Sequence, residues 1–291
     1  ELQTVHHYIT IDTTQLADAL EGAAIARDLP GMADVDSSLW LFCREVKKYA
    51  TVALSGECAD EIFGGYPWFH RDDLLNAGTF PWSRSMDERM RVLSPDLKEY
   101  IKPEEYARRR YLETLEEVPR LAGESAAEAR RREVFYLGIT WFMQALLDRK
   151  DRMSMAAGLE VRVPYCDHRL AEYVWNIPWN MKSCDGREKG ILRRALAGLL
   201  PGDVLYRRKS PYPKTHNPAY EKVVREWLTE IINDGSSPLT KLIDVKHVRE
   251  ILSNEKSDHA SPWFGQLMAL PQLFAYLIQV DVWMRKYGIG T

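Results

Sequence analysis

Apolar and polar positions along this chain change rhythm once, near residue 66. Before that point, short β-branched runs alternate with helical spacing. Val5 to Ile11 reads as a strand, and Thr13 or Thr14 caps a helix to about Arg27. Asp36-Ser37-Ser38 caps a second helix, Leu39 to about Tyr49, with Leu39, Phe42 and Val46 on one face. Thr51 to Leu54 is a second strand that stops at Ser55-Gly56. A β-α-α-β opening of this kind predicts a parallel α/β sheet.

From about Phe69 the spacing is helical, with almost no strand signal. Pro103 opens a charged helix to about Val118, whose run Arg108-Arg109-Arg110 reads as a solvated face. Ala126 to about Leu147 is a longer helix, basic first and then apolar. Further helices are expected at Arg187 to Leu199, Asn217 to about Ile232 and Val245 to Leu252. A polar linker, Ser253 to Ser261, precedes a closing helix from Pro262 to about Tyr287, kinked at Pro271. Ala260 to Val280 carries no charge, but its prolines, Gly265 and three glutamines favour packed helices over a membrane span.

Composition narrows the class. With 291 residues, 45% hydrophobic and 28% charged, the chain can bury a sizeable core. A formal charge of −3 gives no support to a general nucleic-acid binder. Cys43, Cys58, Cys166 and Cys184 form no CxxC pair and no metal-ligand spacing, so they read as reduced thiols of a cytoplasmic protein. The N-terminus has no basic n-region and no apolar h-region of a signal peptide.

The chemistry concentrates behind the second strand. Glu57, Asp60 and Glu61 follow Ser55-Gly56, and Gly64-Gly65 frees the backbone to turn. Open α/β sheets place ligands beyond the carboxyl ends of their strands. Three acids this close repel one another unless a cation or positive side chains sit among them. Mg²⁺ is commonly held by one or two carboxylates plus substrate phosphates, so a magnesium-phosphate site is one reading. A helix first turn, where acids are favoured, is the other.

Downstream, Asp148 to Ser154 follows the apolar helix. Arg149 and Lys150 suit a helix C-terminus, whereas Asp151 and Arg152 suit a buried polar network. Arg162, between two valines in an extended segment, is either an anion clamp or the partner of Glu160 or Asp167. Asp167-His168 marks a helix cap with a satisfied imidazole in preference to a catalytic base. Lys189 reads as a solvated first-turn charge, with phosphate contact as the alternative. Arg207-Arg208-Lys209 is a basic loop that binds phosphate if tethered near a site and is otherwise a solvated turn.

These segments together resemble the synthetase domain of the glutamine-dependent asparagine synthetase family. The matching pieces, in the family's order, are Asp34 to Leu39, Ser55 to Tyr66, Asp151 to Met155, Leu159 to Pro164 with Asp167-His168, Gly186 to Lys189, and Arg207 to Lys209. The resemblance implies a truncated adenine-nucleotide α-hydrolase-like (PP-loop pyrophosphatase) α/β domain, predominantly helical. Residues 1–66 would be the remnant of the nucleotide-binding sheet, and 67–291 the helical remainder of the same domain. It also implies ATP-dependent amidation of aspartate through a β-aspartyl-adenylate. ATP and Mg²⁺ would be the cofactors, with ammonia from glutamine. By match, Asp60 would hold Mg²⁺, Glu57 would stand near the reacting carboxylate, and Lys209 would neutralise pyrophosphate. Ser55 and Gly56 would touch the phosphates, while Arg162, Asp151 and Arg152 would line or brace the acceptor side. Partners would be small molecules, with no nucleic acid and no membrane, and with self-association left open.

The family's N-terminal glutaminase domain, terminal Cys and Ser-Gly-Gly-x-Asp-Ser phosphate loop have no counterpart in this sequence, whose residue 1 is Glu. The expectation is therefore a chain that begins inside the synthetase domain and lacks two central strands. By itself it would neither bind Mg-ATP tightly nor make asparagine. Its exposed edges at Val5 to Ile11 and Thr51 to Leu54 would pair with each other or with another copy. Two alternatives stand beside this reading. One is a β-lactam-forming or peptide-cyclising synthetase of the same fold, and the other is a non-catalytic interaction protein.

Overall fold

Asp12 starts the first helix. Its carboxylate accepts from Gln15 N at 2.8 Å while the Gln15 side chain accepts from Asp12 N at 3.1 Å, so the cap lies one residue before the expected threonines. This helix, α1 (Thr13–Arg27), buries a face of small residues and Leu20. A computed structural model describes residues 4–83, 85–210, 212, 215, 217–254 and 268–290. The next helix, α2, runs Asp34–Lys47 and begins well before Leu39. Asp36 does not cap it from outside. It lies within the first turn, fully buried, accepting from Met32 N at 2.7 Å. Acids in a first turn favour the helix dipole, which is why the helix nucleates there.

Strand β1 (Val52–Leu54) pairs in parallel with β2 (Glu160–Arg162), in register Val52 to Glu160 and Leu54 to Arg162. Among the described residues this pair is the whole sheet. Val5 to Ile11 forms no strand over its described residues 5–11. Val5 is 80% and Tyr8 89% exposed, and His7 only rests its ring on Tyr49, 4.6 Å between centroids. Alternating spacing supplies propensity, but a strand also needs a neighbour for its backbone groups. The expected pairing of the two N-terminal edges is absent among the described residues. β1 takes its partner from residues 160–162 instead.

The longest helical stretch runs from Ala126 to Ala156. It is α-helical over Ala126–Leu137, π-helical over Gly138–Met143 and α-helical again over Gln144–Ala156. Ser125 and Glu128 form its capping box. The segment 148–154 therefore lies on this helix and not after it. Smaller differences have local causes. The helix expected from Arg187 to Leu199 is only Gly190–Ala195, bracketed by Lys189 and Gly198 at positive φ. Pro271 sits in the first turn of Leu270–Tyr287, where its missing N–H costs nothing, so it makes no kink. The expected linker from 255 and the stretch to 267 lie outside the described residues. Pro103–Glu116, Pro218–Asn233 and Val245–Ser253 agree with expectation to within a turn.

The core ties the two ends of the chain together. Leu20 of α1 packs with Tyr220, Val224 and Leu228 of Pro218–Asn233 and with Phe274 and Ile278 of Leu270–Tyr287. A second cluster joins Leu39 and Cys43 of α2 to Met153 and Leu159, fixing β2 and the Gln144–Ala156 helix against α2. An aromatic cluster of Trp68, Phe69 and Phe135 supports the bend at Gly64. The architecture is α/β and predominantly helical. No described helix is long and apolar enough to cross a membrane.

Candidate active site

The site starts where β1 stops. Ser55 N donates to Arg162 O at 2.9 Å, continuing the parallel ladder by one bond. Gly56 then faces open space. Cys58 at φ 71 turns the chain into the short helix α3 (Ala59–Phe63), and Gly64 at φ 72 ends it. The loop thus occupies the carboxyl end of a parallel strand pair, the place where open α/β sheets expose backbone to ligands.

The three carboxylates point three ways. Asp60 is gripped by two ammonium groups: Lys189 Nζ lies 2.9 Å from Oδ1 and Lys209 Nζ 2.9 Å from Oδ2. Burial alone would raise the Asp60 pKa, but Lys209 and Lys189 outweigh it and hold it below the usual value. Lys209 also donates to Gly65 O at 3.2 Å and stands 3.7 Å from the centroid of the Tyr66 ring. Burial lowers the Lys209 pKa, and the attraction of Asp60 only partly offsets this.

Glu57 faces the other direction. Its Oε1 meets Lys150 Nζ at 3.2 Å and Arg149 Nη2 at 3.7 Å, while Oε2 is buried with no hydrogen-bond partner among the described residues. Glu61 points inward, 2% exposed, and accepts from Tyr66 Oη at 2.6 Å. Burial pushes the Glu61 pKa up despite that bond. Positive side chains therefore do sit among the acids, as mutual repulsion demands. Glu61 escapes the cluster into the interior.

Gly65 is required here by close approach, since a side chain on it would run into the Asp60 carboxylate. A cleft of about 590 Å³ opens between Gly65, His70, Arg208 and Lys209. Another of about 420 Å³ lies against Asp60, Lys189 and Arg193. Arg208 and Lys209 line both clefts.

The structure brings Glu57, Asp60 and Lys209 to one loop and sends other candidates elsewhere. Asp151 is exposed, and Arg152 pairs with Asp148 and Asp28, each at 2.8 Å. The expected buried network of Asp151 and Arg152 is thus corrected. Arg149, four residues before the buried Met153, is the buried cation of this motif, and Asp151 and Arg152 lie on the outer face. Lys189 likewise is not a solvated charge. Arg162 is 64% exposed at its side chain and pairs with Glu160 at 2.7 Å, while its backbone anchors Ser55. His168 is 80% exposed, and Asp167 caps the helix His168–Trp175. Arg149 and Lys150, expected as helix-end charges, and Lys189, expected as a solvated charge with phosphate contact as the alternative, are the further residues of the site. The four-residue step from Arg149 to Met153 was the available signal.

The described residues contain no group of three or more His, Cys, Asp or Glu able to cage a metal. Asp60, already a binder of two cations, is the carboxylate of this loop that lines a cleft. A single carboxylate fits Mg²⁺ carried by a phosphate, where protein carboxylates supply a minority of ligands.

Comparison with known proteins gives one family. Residues 1–285 match the asparagine synthase family. Asparagine synthetase [glutamine-hydrolyzing] 3 of Bacillus subtilis (strain 168) is 57% identical over 286 residues, covering 98% of this chain and 46% of the relative. Asparagine synthetase [glutamine-hydrolyzing] 1 of the same organism is 30% identical over 254 residues, covering 76% of this chain and 39% of the relative. A putative asparagine synthetase [glutamine-hydrolyzing] of Mycobacterium tuberculosis (strain ATCC 25618 / H37Rv) is 28% identical over 266 residues, covering 76% and 39%. The chain spans less than half the length of these curated relatives.

Proposed function

The chain belongs to the asparagine synthase family, and from that premise we propose that it carries the aspartate-activating half of an ATP-dependent asparagine synthesis. In this reading the β-carboxylate of aspartate attacks the α-phosphorus of ATP. The bond to the β-phosphate breaks, releasing pyrophosphate and leaving β-aspartyl-adenylate. Ammonia then adds to the activated carbonyl, AMP departs, and the nitrogen sheds a proton.

The observation that carries the reading is Asp60 held between Lys189 and Lys209. Two ammonium groups converge on one spot beside open clefts, which suits the charge that builds on a leaving pyrophosphate. Preorganised charge of this kind is commonly the largest catalytic term in phosphoryl-type chemistry. Gly56, with open space before it, and Ser55 lie where a phosphate can approach the backbone closely. Asp60 would hold Mg²⁺ together with phosphate oxygens, and the ion when bound would supply further neutralisation of the triphosphate.

Glu57, whose Oε2 is buried and without a donor among the described residues, would accept the proton that the incoming nitrogen loses. Arg149 and Lys150 hold that carboxylate in position. Arg162 would clamp a substrate carboxylate. Its present pair with Glu160 is exposed, so giving it up costs less than about 1 kcal/mol. Arg152 would brace the helix from outside through Asp148 and Asp28, and Asp151, exposed beside it, would line the acceptor side. Supply of ammonia from glutamine belongs to the same proposal. So does a cytoplasmic setting, supported by four unpaired cysteines.

The test is aspartate-dependent exchange of labelled pyrophosphate into ATP by the protein that carries this chain. Exchange that needs aspartate and transfers ¹⁸O from its carboxylate to AMP supports the reading. Exchange indifferent to aspartate, or supported equally by unrelated carboxylates, overturns it.

A further inference from the structure

Behind the bend at Gly64 lies a cavity of about 120 Å³ with an uncompensated charge. The helix Ala126–Leu137 and the segment 175–182 enclose it. Five charged groups line it. Glu124 is committed to Arg132, with Nε at 2.9 Å, and Glu128 to the cap at Ser125, with Oγ at 3.1 Å. The remaining two, Arg131 and Lys182, have no carboxylate within ion-pair reach among the described residues.

Lys182 is 3% exposed. Its ammonium stands 4.1 Å from the centroid of the Phe135 ring. The Arg131 guanidinium lies 5.3 Å over Trp179, and its Nε is buried with no hydrogen-bond partner among the described residues. Burying a cation without a counter-charge costs several kcal/mol. Burial first, and then Arg132, pushes the Lys182 pKa down to about 7. A cation–π contact offsets only part of this cost.

We propose that this cavity is a binding site for a small oxyanion, held between the Lys182 ammonium and the Arg131 guanidinium, with the indole rings of Trp175 and Trp179 as walls. Size restricts the ligand. With about 30 Å³ of liquid volume per water, the cavity suits phosphate or a short carboxylate and is far below the 300 Å³ or more that drug-sized ligands occupy. The site stands apart from Asp60 but shares a wall with its loop. Gly64 abuts Trp179 so closely that a Cβ there would fall 2.6 Å from the indole.

Calorimetric titration of the 291-residue chain with inorganic phosphate, and separately with propionate, tests the proposal. Saturable binding is expected near pH 6.5 for at least one anion, and the tighter of the two identifies the headgroup. Propionate does not titrate near neutrality, and the other charged groups facing Lys182 are Arg131, Arg132, Glu124 and Glu128. If propionate binds, raising the pH to about 9 should weaken it by at least tenfold as Lys182 loses its proton. Lys182→Met and Arg131→Gln should abolish binding, and Lys182→Arg should retain it. Absence of saturable heat with either anion overturns the proposal. So does undiminished affinity in both Lys182→Met and Arg131→Gln. Circular dichroism of each variant separates lost binding from lost fold.

Discussion

Lys209 reaches Asp60 from a distant part of the sequence, Nζ to Oδ2 at 2.9 Å, with the Tyr66 ring beneath its ammonium. Aromatic face, carboxylate and the Gly65 carbonyl fix the ammonium from three sides. Lys209→Met should therefore lower aspartate-dependent pyrophosphate exchange by about 10²–10³-fold, the usual cost of removing one preorganised electrostatic group. Lys209→Arg should restore part of the loss. Equal exchange in wild type and Lys209→Met would show that the lysine is structural.

The same pair makes stability sensitive to acid. The folded Asp60 pKa lies below the ordinary 3.8, so its contribution is present above that value and is lost as pH falls through the lower folded one. Asp60→Asn should therefore destabilise the protein at pH 7 and make little difference at the acid end. Paired urea melts across that range measure it.

Gly65→Ala should displace the Asp60 carboxylate, because the added methyl meets its Cγ and backbone as well as its oxygen. A loss of about 1–3 kcal/mol is expected, together with a loss of exchange activity. Gly64→Ala is a useful companion. It forces a side chain to φ 72 against Trp179, so stability falls by a similar amount. Thermal melts of both variants give the comparison.

Glu57→Gln keeps the shape of the side chain and removes its charge. Arg149, 5% exposed at its side chain, then loses its counter-ion, so a cost of about 1–3 kcal/mol is expected. Pyrophosphate exchange should survive better than amide formation, since the proposed role of Glu57 follows adenylation. Rapid-quench measurement of adenylate and asparagine separates the two steps. Equal losses in both would remove the proton-acceptor role.

Lys182→Met should stabilise the protein at neutral pH by about 2–4 kcal/mol. The folded pKa of about 7 lies below the ordinary 10.5, so between these values the unfolded chain binds more protons. Wild-type stability should thus rise with pH across that window, while Lys182→Met lacks the slope. The gain should be full below pH 7 and fade toward 10.5. Denaturant melts of both proteins across that window check the sign.

Much of this was local and therefore legible in the residues. Ser55-Gly56, the acids after it and Gly64-Gly65 state their chemistry by type and spacing, because a strand end, a turn and a carboxylate need only near neighbours. The apolar run of β1 and the caps at Asn217 and Asp167 are equally local. No strand forms at residues 5–11 because propensity is local whereas pairing is not: they have the pattern and no strand partner among the described residues. Which face of the 144–156 helix turns inward depends on the π-helical turn before it and on the packing of Met153 against α2. That decided that Arg149 and Lys150, and not Asp151 and Arg152, meet Glu57. The two lysines on Asp60 could be enumerated in the sequence but not assigned. A charge buried in a fold is satisfied by whatever long-range packing brings within a few ångströms, and no spacing along the chain encodes that distance.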